Sequence, residues 1–181
     1  YYHLTTHTPG LMRRAGDAFA AADRPALAAW AYEKADDEEH HDRLALKDLA
    51  DMGVDGAGLV AAEVPETAAA LVRYFHESVA ETVPLRCVGY AHAVERLAIA
   101  QGQASIDRVR AVLPPECRAW RSLKVHSAVG SDVKHVAENV NLIAALPASE
   151  RSTVAVACHD VAALLFTTPT SGQLTETGIA K

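Results

Sequence analysis

The chain has 181 residues, half of them hydrophobic and only 6% aromatic, a length that suits one compact domain burying about two-thirds of the surface its unfolded form exposes. Its 23 acidic residues outnumber 17 basic ones for a formal charge of -6, and with no clustered cationic face the composition argues against nucleic acid as a partner. No apolar run reaches about 18 residues, no signal-like series opens the chain, and Cys87, Cys117 and Cys158 are odd in number and widely spaced, so a membrane span and a disulfide framework are both disfavoured and a cytoplasmic location is expected.

Many alanines and few β-branched runs favour closely packed helices over sheets. Periodicity and breakers predict helices at about 4–22, 25–52, 66–81, 84–101, 103–112, 116–145 and 148–166. This is an all-α, single-domain bundle of about seven helices over 1–166, followed by a flexible tail at 167–181 rich in Thr, Ser and Gly. Pro25 sits in the first turn of the second helix and Gly53 follows its end, while Pro84, Pro114, Pro115 and Pro147 punctuate the later ones. Val54 to Val60, with Gly56 and Gly58, reads as a loop, and no internal repeat is present. The chain starts at Tyr1 rather than a methionine, so earlier residues are expected and the first helix could be incomplete.

The second predicted helix carries the run Glu33-Lys34-Ala35-Asp36-Asp37-Glu38-Glu39-His40-His41-Asp42. At about 100° per residue, the stripe through Leu27, Trp30, Ala31, Ala45, Leu49 and Met52 also takes in Glu38 and His41 and leaves His40 off it. Glu38 and His41 form an E-x-x-H pair, a spacing that lets a carboxylate and an imidazole on one helix face share a metal. Glu33 could add an oxygen from two turns earlier. The competing reading is a solvated acidic face. Lys34 points inward, where it could bind a substrate carboxylate, pair with Glu38 or snorkel outward.

The fourth helix places Glu95 among Val88, Ala91, Ala98 and Ile99. A carboxylate in an apolar stripe must find a cation, either a metal or an ion pair with Arg96, Arg73 or Lys34. In the sixth helix, Asp132 and His135 form a D-x-x-H pair bordering Val129, Val133, Val136, Val140 and Ile143. On an ideal helix His126 lies about 120° around from Asp132, and a bulge or kink at Gly130-Ser131 would be needed to bring it back. Tyr32, Tyr74 and Tyr90 are candidates to line a cavity. His3, His7, His76, His92 and His159 read as surface, cap or packing residues.

Two acid-x-x-His pairs with Glu95 and Glu33 resemble the inward ligand sets of di-iron carboxylate bundles. Oxygen and nitrogen donors without thiolate suit iron or manganese better than structural zinc. More specifically, the acidic run at 33–42 leading into Ala45-Leu46-Lys47-Asp48-Leu49, the segment Gly89-Tyr90-Ala91-His92-Ala93-Val94-Glu95, and His126 with Asp132 and His135 resemble the haem-oxygenase-like di-metal oxidases, a family grouped with the thiaminase-II and PQQ-synthesis proteins. The resemblance covers about residues 2–165. It implies a seven-helix bundle without haem, two Fe(II) ions, and Glu33 or Glu38 with His41, then Glu95, His126, Asp132 and His135 as ligands. It also implies that O2 and a small amino-acid-like or fatty-acid-like substrate are the partners; an external electron donor and a homodimer are further expectations, and from their own positions Lys34 and Tyr90 are candidates to meet the substrate. One departure stands out: the family spaces its histidine four residues before the aspartate, whereas here the spacing is six. Rival readings are a thiaminase-II-like hydrolase with Cys87 as nucleophile, a non-catalytic metal-binding bundle, and a cofactor-free oxidase with a basic pocket, which the acidic helices disfavour.

Overall fold

A computed structural model of the protein describes residues 1–166. The tail expected at 167–181 lies outside the described residues. Among those described, all regular structure is helical, in ten segments: α1 (Tyr2–Ala21), α2 (Pro25–Asp37), α3 (His41–Asp51), α4 (Gly56–Ala62), α5 (Glu66–Val79), α6 (Leu85–Ala98), α7 (Gln103–Val112), α8 (Arg121–Val125), α9 (Asp132–Ala144) and α10 (Ala148–Phe166). None of these is long and apolar enough to cross a membrane.

The core follows from helical spacing of apolar residues. Leu11, Met12, Ala15 and Phe19 of α1 and Leu71, Phe75 and Val79 of α5 recur at three- and four-residue intervals and are buried, so each helix presents one stripe inward. Leu27, Trp30, Ala31 and Ala35 of α2 and Val88 and Ala91 of α6 complete the interior, together with Val154 and Val161 of α10. α1 packs on α2 and α5, α6 lies between α9 and α10, and α3 holds α8 and α4 to one side of α1. Arg24, just before α2, makes a two-pronged ion pair with Glu150 of α10 at 2.7 and 2.8 Å. This geometry ties the start of α2 to the start of α10.

Two departures from the predicted elements are breaks in a helix, and a third is a helix in place of a loop. The helix expected over 25–52 stops at Asp37, passes through Glu38 to His40, and restarts at His41. Side chains of consecutive acids repel one another on a continuous helix, and an acidic C-terminus opposes the helix dipole; the run Asp36 to Glu39 meets both penalties. His40 adopts φ 70 at the corner, a left-handed conformation that costs a non-glycine residue roughly 1–2 kcal/mol. The helix expected over 116–145 is likewise two pieces, α8 and α9, joined by a turn at 126–131. The loop expected over 54–60 contains α4 instead, because the Asp55 side chain accepts a hydrogen bond from Gly58 N at 3.1 Å and caps it.

The crossing of α6 and α10 depends on Gly89. A Cβ at that position would lie 2.6 Å from both Ala157 Cβ and the Val154 carbonyl oxygen, and the second of these is backbone that cannot rotate away. Replacing Gly89 by alanine is therefore expected to destabilise the protein by about 1–3 kcal/mol, read from urea unfolding midpoints; an unchanged midpoint would mean that the crossing can widen freely.

Candidate metal centre

Both helix breaks fall at one place, and each turns a carboxylate or histidine inward. Glu38, in the corner after α2, is buried and lies 2.9 Å from His41 Nδ1 at the start of α3. His126, in the turn after α8, lies 3.3 Å from Asp132 at the start of α9. The rings of His41 and His126 meet edge to face with centroids 4.9 Å apart. His135, one turn into α9, brings Nδ1 to 3.4 Å from Glu95 Oε1 of α6 and 3.8 Å from Asp132 Oδ1.

These residues form two groups with the spacing of metal ligands. Glu38, His41 and His126 make one, and Glu38, Asp132 and His135 make the other; in each, the donor atoms lie within 4.8 Å of one another. Glu38 belongs to both. Three of the donor atoms are buried without a hydrogen bond: His126 Nε2, Asp132 Oδ1 and His135 Nδ1. Buried polar atoms left in that state are costly, and a cation coordinated among them removes the cost. On this test the side chains fit a metal centre.

A second set of contacts orients the first. Asp37 lies 3.2 Å from His135 Nε2, which keeps that ring nitrogen as donor and directs Nδ1 inward, the arrangement found behind many histidine ligands. Glu95 is held on both oxygens, by Lys34 Nζ at 3.1 Å and by Asn139 Nδ2 at 2.6 Å. Trp30 Nε1 in turn donates to Asn139 Oδ1 at 2.8 Å. Asp48 of α3 accepts from the backbone N–H of Arg121 at 3.2 Å and of Ser122 at 2.9 Å. It thereby caps the short α8 from outside and sets where His126 emerges. Gly130 completes the turn, because a Cβ there would collide with the carbonyl oxygens of Val125 and Lys124.

Electrostatics favour charge on the first pair. Burial alone would raise the Glu38 carboxyl, but the His41 hydrogen bond and the nearby histidines outweigh it and hold the group below its ordinary value. The same hydrogen bond raises His41 against the opposing effect of burial. His135 is pushed down by burial yet ends above its ordinary value, owing to Glu95 and Asp132.

A cavity of about 390 Å³ adjoins the cluster, within the range of small-molecule sites. Glu38, Glu95, His126 and Asp132 stand on its wall, with Lys34 and Tyr90. Tyr90 is buried and stacked on Phe75, with ring centroids 4.3 Å apart.

The structure gathers six of the seven candidate ligands, Glu38, His41, Glu95, His126, Asp132 and His135. Glu33 is not among them: its side chain is 58% exposed and pairs with Lys134 at 3.3 Å. In α9 Asp132 and His135 face inward as expected, but only part of the apolar stripe they border does so, Val136 and Ile143 being half-buried. Asp132, His135 and Asn139 are the buried residues, while Val133 and Val140 are about half exposed, because the interior here is built of polar partners. His126 reaches Asp132 through a full break between helices rather than a bulge within one. Lys34 faces inward but is spent on Glu95. Of the tyrosines, Tyr90 lines this cavity and Tyr32 is exposed, donating to Asp17 at 2.8 Å. Cys87 is fully buried and burial pushes its thiol well up, which disfavours the thiolate a nucleophile requires. Asp37 and Asp48 stood in the quoted sequence segments without a role assigned to them, and Asn139 went unnoticed although it lies four residues after His135 and so shares its face.

Comparison with protein-family models, with curated proteins and with solved structures finds no match to this chain.

Two measurements follow from this geometry. Asp37→Asn should weaken metal binding by about 10–100-fold, read by competition with a chromophoric chelator; wild-type affinity would mean that His135 is oriented by something else. The second concerns pH. In the metal-free protein, the raised His41 contributes stability that is present below its unfolded pKa and lost as pH rises through the folded value, while the lowered Glu38 contributes stability lost only as pH falls through its own folded value. Metal binding requires deprotonated imidazole and so strengthens with pH. Thermal midpoints measured between the carboxylate and histidine ranges and upward should accordingly show this pair's contribution falling with pH without metal, and the metal-induced rise in midpoint growing with pH.

Proposed function

We propose that the chain is a non-haem di-iron oxidoreductase that uses O2 to oxidise a small molecule held beside the Glu38 cluster. The observation that carries this reading is the sharing of Glu38 between two carboxylate/histidine triads whose remaining buried donors lack partners. A single structural site has no use for a shared carboxylate. Two ions a few ångströms apart do, and oxygen and nitrogen donors without thiolate suit iron or manganese. Bound ferrous ions would supply the electrons that O2 requires, with an external donor restoring them.

The chain's own residues have separable tasks. Glu38 belongs to both groups; with it, His41 and His126 would hold one ion, and Asp132 and His135 would hold the other. Glu95 stands beside the second group, with Lys34 and Asn139 fixing both its oxygens. Asp37 keeps the His135 lone pair directed inward. The apolar wall of the cavity excludes water around the reacting centre. The motif resemblance to haem-oxygenase-like di-metal oxidases supports the same chemistry. A largely apolar cavity against the cluster favours turnover over mere metal storage, and the burial of Cys87 disfavours a thiol hydrolase.

Anaerobic titration of metal-free protein with ferrous iron should give about two equivalents per chain, with oxygen uptake on mixing with air-saturated buffer. Glu38→Ala should lose both equivalents, whereas His126→Ala and His135→Ala should each lose one. Uptake of a single equivalent that survives His135→Ala would overturn the dinuclear reading.

A further inference from the structure

We infer that the face formed by the end of α7 and the segment leading into α8 is the docking site of an acidic electron-carrier protein. The donor role rests on the oxidase reading above; the docking rests on charge and exposure alone. Residues 103–124 carry five arginines and lysines against two acids, Asp107 and Glu116, in a chain whose total charge is -6. The fold gathers three of these cations at one ring. The Arg110 guanidinium lies 5.2 Å and the Lys124 ammonium 5.9 Å from the centroid of Trp120, and Arg118 joins Arg110 and Trp120 in lining a cleft of about 720 Å³. All three cations are exposed. Among the described residues neither Arg118 nor Lys124 forms an ion pair, and Arg110 meets only Asp107, at 4.0 Å and with both side chains more than half exposed.

Apolar groups accompany the charges: Pro114 and Pro115 border the cleft, and Val112, at the end of α7, is 81% exposed. Arginine and tryptophan beside apolar groups make up the energetic centres of protein interfaces. A small anion is the poorer fit, because charges this exposed hold it only weakly through water, whereas a protein surface covers all of them together. The remainder of the chain has acids in excess, so a negatively charged carrier is repelled elsewhere and drawn to this face. Position then gives the face its role. α8 begins at Arg121, next to Trp120, and ends at Val125, next to His126; at 1.5 Å per residue the step from Trp120 to His126 advances about 9 Å. Arg121 is paired with Asp48 and Asp51 of α3, so a carrier seated on Trp120 stands at a fixed, short distance from a candidate ligand. The carrier gives up one electron per encounter, its reduced cluster becoming oxidised as one ferric ion of the centre returns to ferrous.

The test is isothermal titration of the whole metal-free chain with oxidised plant-type [2Fe–2S] ferredoxin, an acidic one-electron carrier, and with cytochrome c, a basic one. Ferredoxin should bind at low salt and weaken by about tenfold or more on raising the salt to about 0.5 M; cytochrome c should not bind. Arg110→Glu combined with Arg118→Glu should weaken ferredoxin binding by about tenfold or more, whereas the same change of charge at Arg14 and Arg73, exposed on α1 and α5, should leave it within about twofold. Lys124→Glu replaces the first pair if that variant does not fold. In iron-loaded protein, the oxidation of reduced ferredoxin followed by stopped flow should slow in the same variants while iron stoichiometry stays unchanged. Absence of ferredoxin binding, or equal loss in the two double variants, would overturn the inference and leave the iron titration to decide the oxidase reading. Charge-selective binding to a chain that takes up no iron would keep the docking face and remove the oxidase reading alone.

Discussion

Three carboxylates, Glu38, Glu95 and Asp132, are buried at one place in the helical bundle, and the surrounding structure answers the cost of putting them there. Burying a carboxylate without partners is unfavourable by several kcal/mol even after relaxation. Lys34 offsets one negative charge, and Asn139 and Trp30 extend its hydrogen bonding into the apolar core. Histidines from three different segments crowd the other two. With one ammonium against three carboxylates, the neutral-histidine form of the cluster is strongly receptive to cations. The left-handed corner at His40 and the tight turn through Gly130 both turn these side chains toward this point.

The same constraint explains how much could be read in advance. The helical class, the E-x-x-H and D-x-x-H pairs and the isolated Glu95 are local patterns, visible because each combines a titratable residue with helical spacing. The structure brings those residues together. What sequence could not supply was the direction of each face once a helix had broken. A stripe drawn continuously from Leu27 to Met52 assumes one axis, and the corner at Glu38 to His40 ends that assumption, leaving Met52 about half exposed. Glu33 fails for a related reason, since nothing in its spacing tells a ligand from a surface partner of Lys134. In α9 hydrophobic periodicity reaches its limit most directly: Val133 and Val140 lie on the outer face, because Asp132, His135 and Asn139 occupy the inner one. The ion pair of Lys34 with Glu95 was one of the alternatives open from sequence, and it accounts for both residues at once.

Positioning in this site is distributed. Asp48 never approaches the cluster, yet it closes the N-terminus of α8 and so determines where the chain leaves that helix toward His126. Asp37 acts one bond removed, through the far nitrogen of His135. Ligands that come from four elements in this way can be preorganised only if the elements are themselves pinned. The ion pairs of Arg121 with Asp48 and Asp51, at 3.2 and 2.8 Å, supply that pinning between α3 and α8.

The bonded series from Trp30 through Asn139 to Glu95 has an optical consequence. Trp30 is buried and its indole N–H is committed to this series, whereas Trp120, the other tryptophan, sits beside the guanidinium of Arg110 and the ammonium of Lys124 in a different region. When Glu95 changes partners, the dipole of Asn139 turns and the electric field across the Trp30 ring changes with it. Trp30 emission is therefore expected to follow a rearrangement of Glu95, with no need of a coloured metal or a substrate.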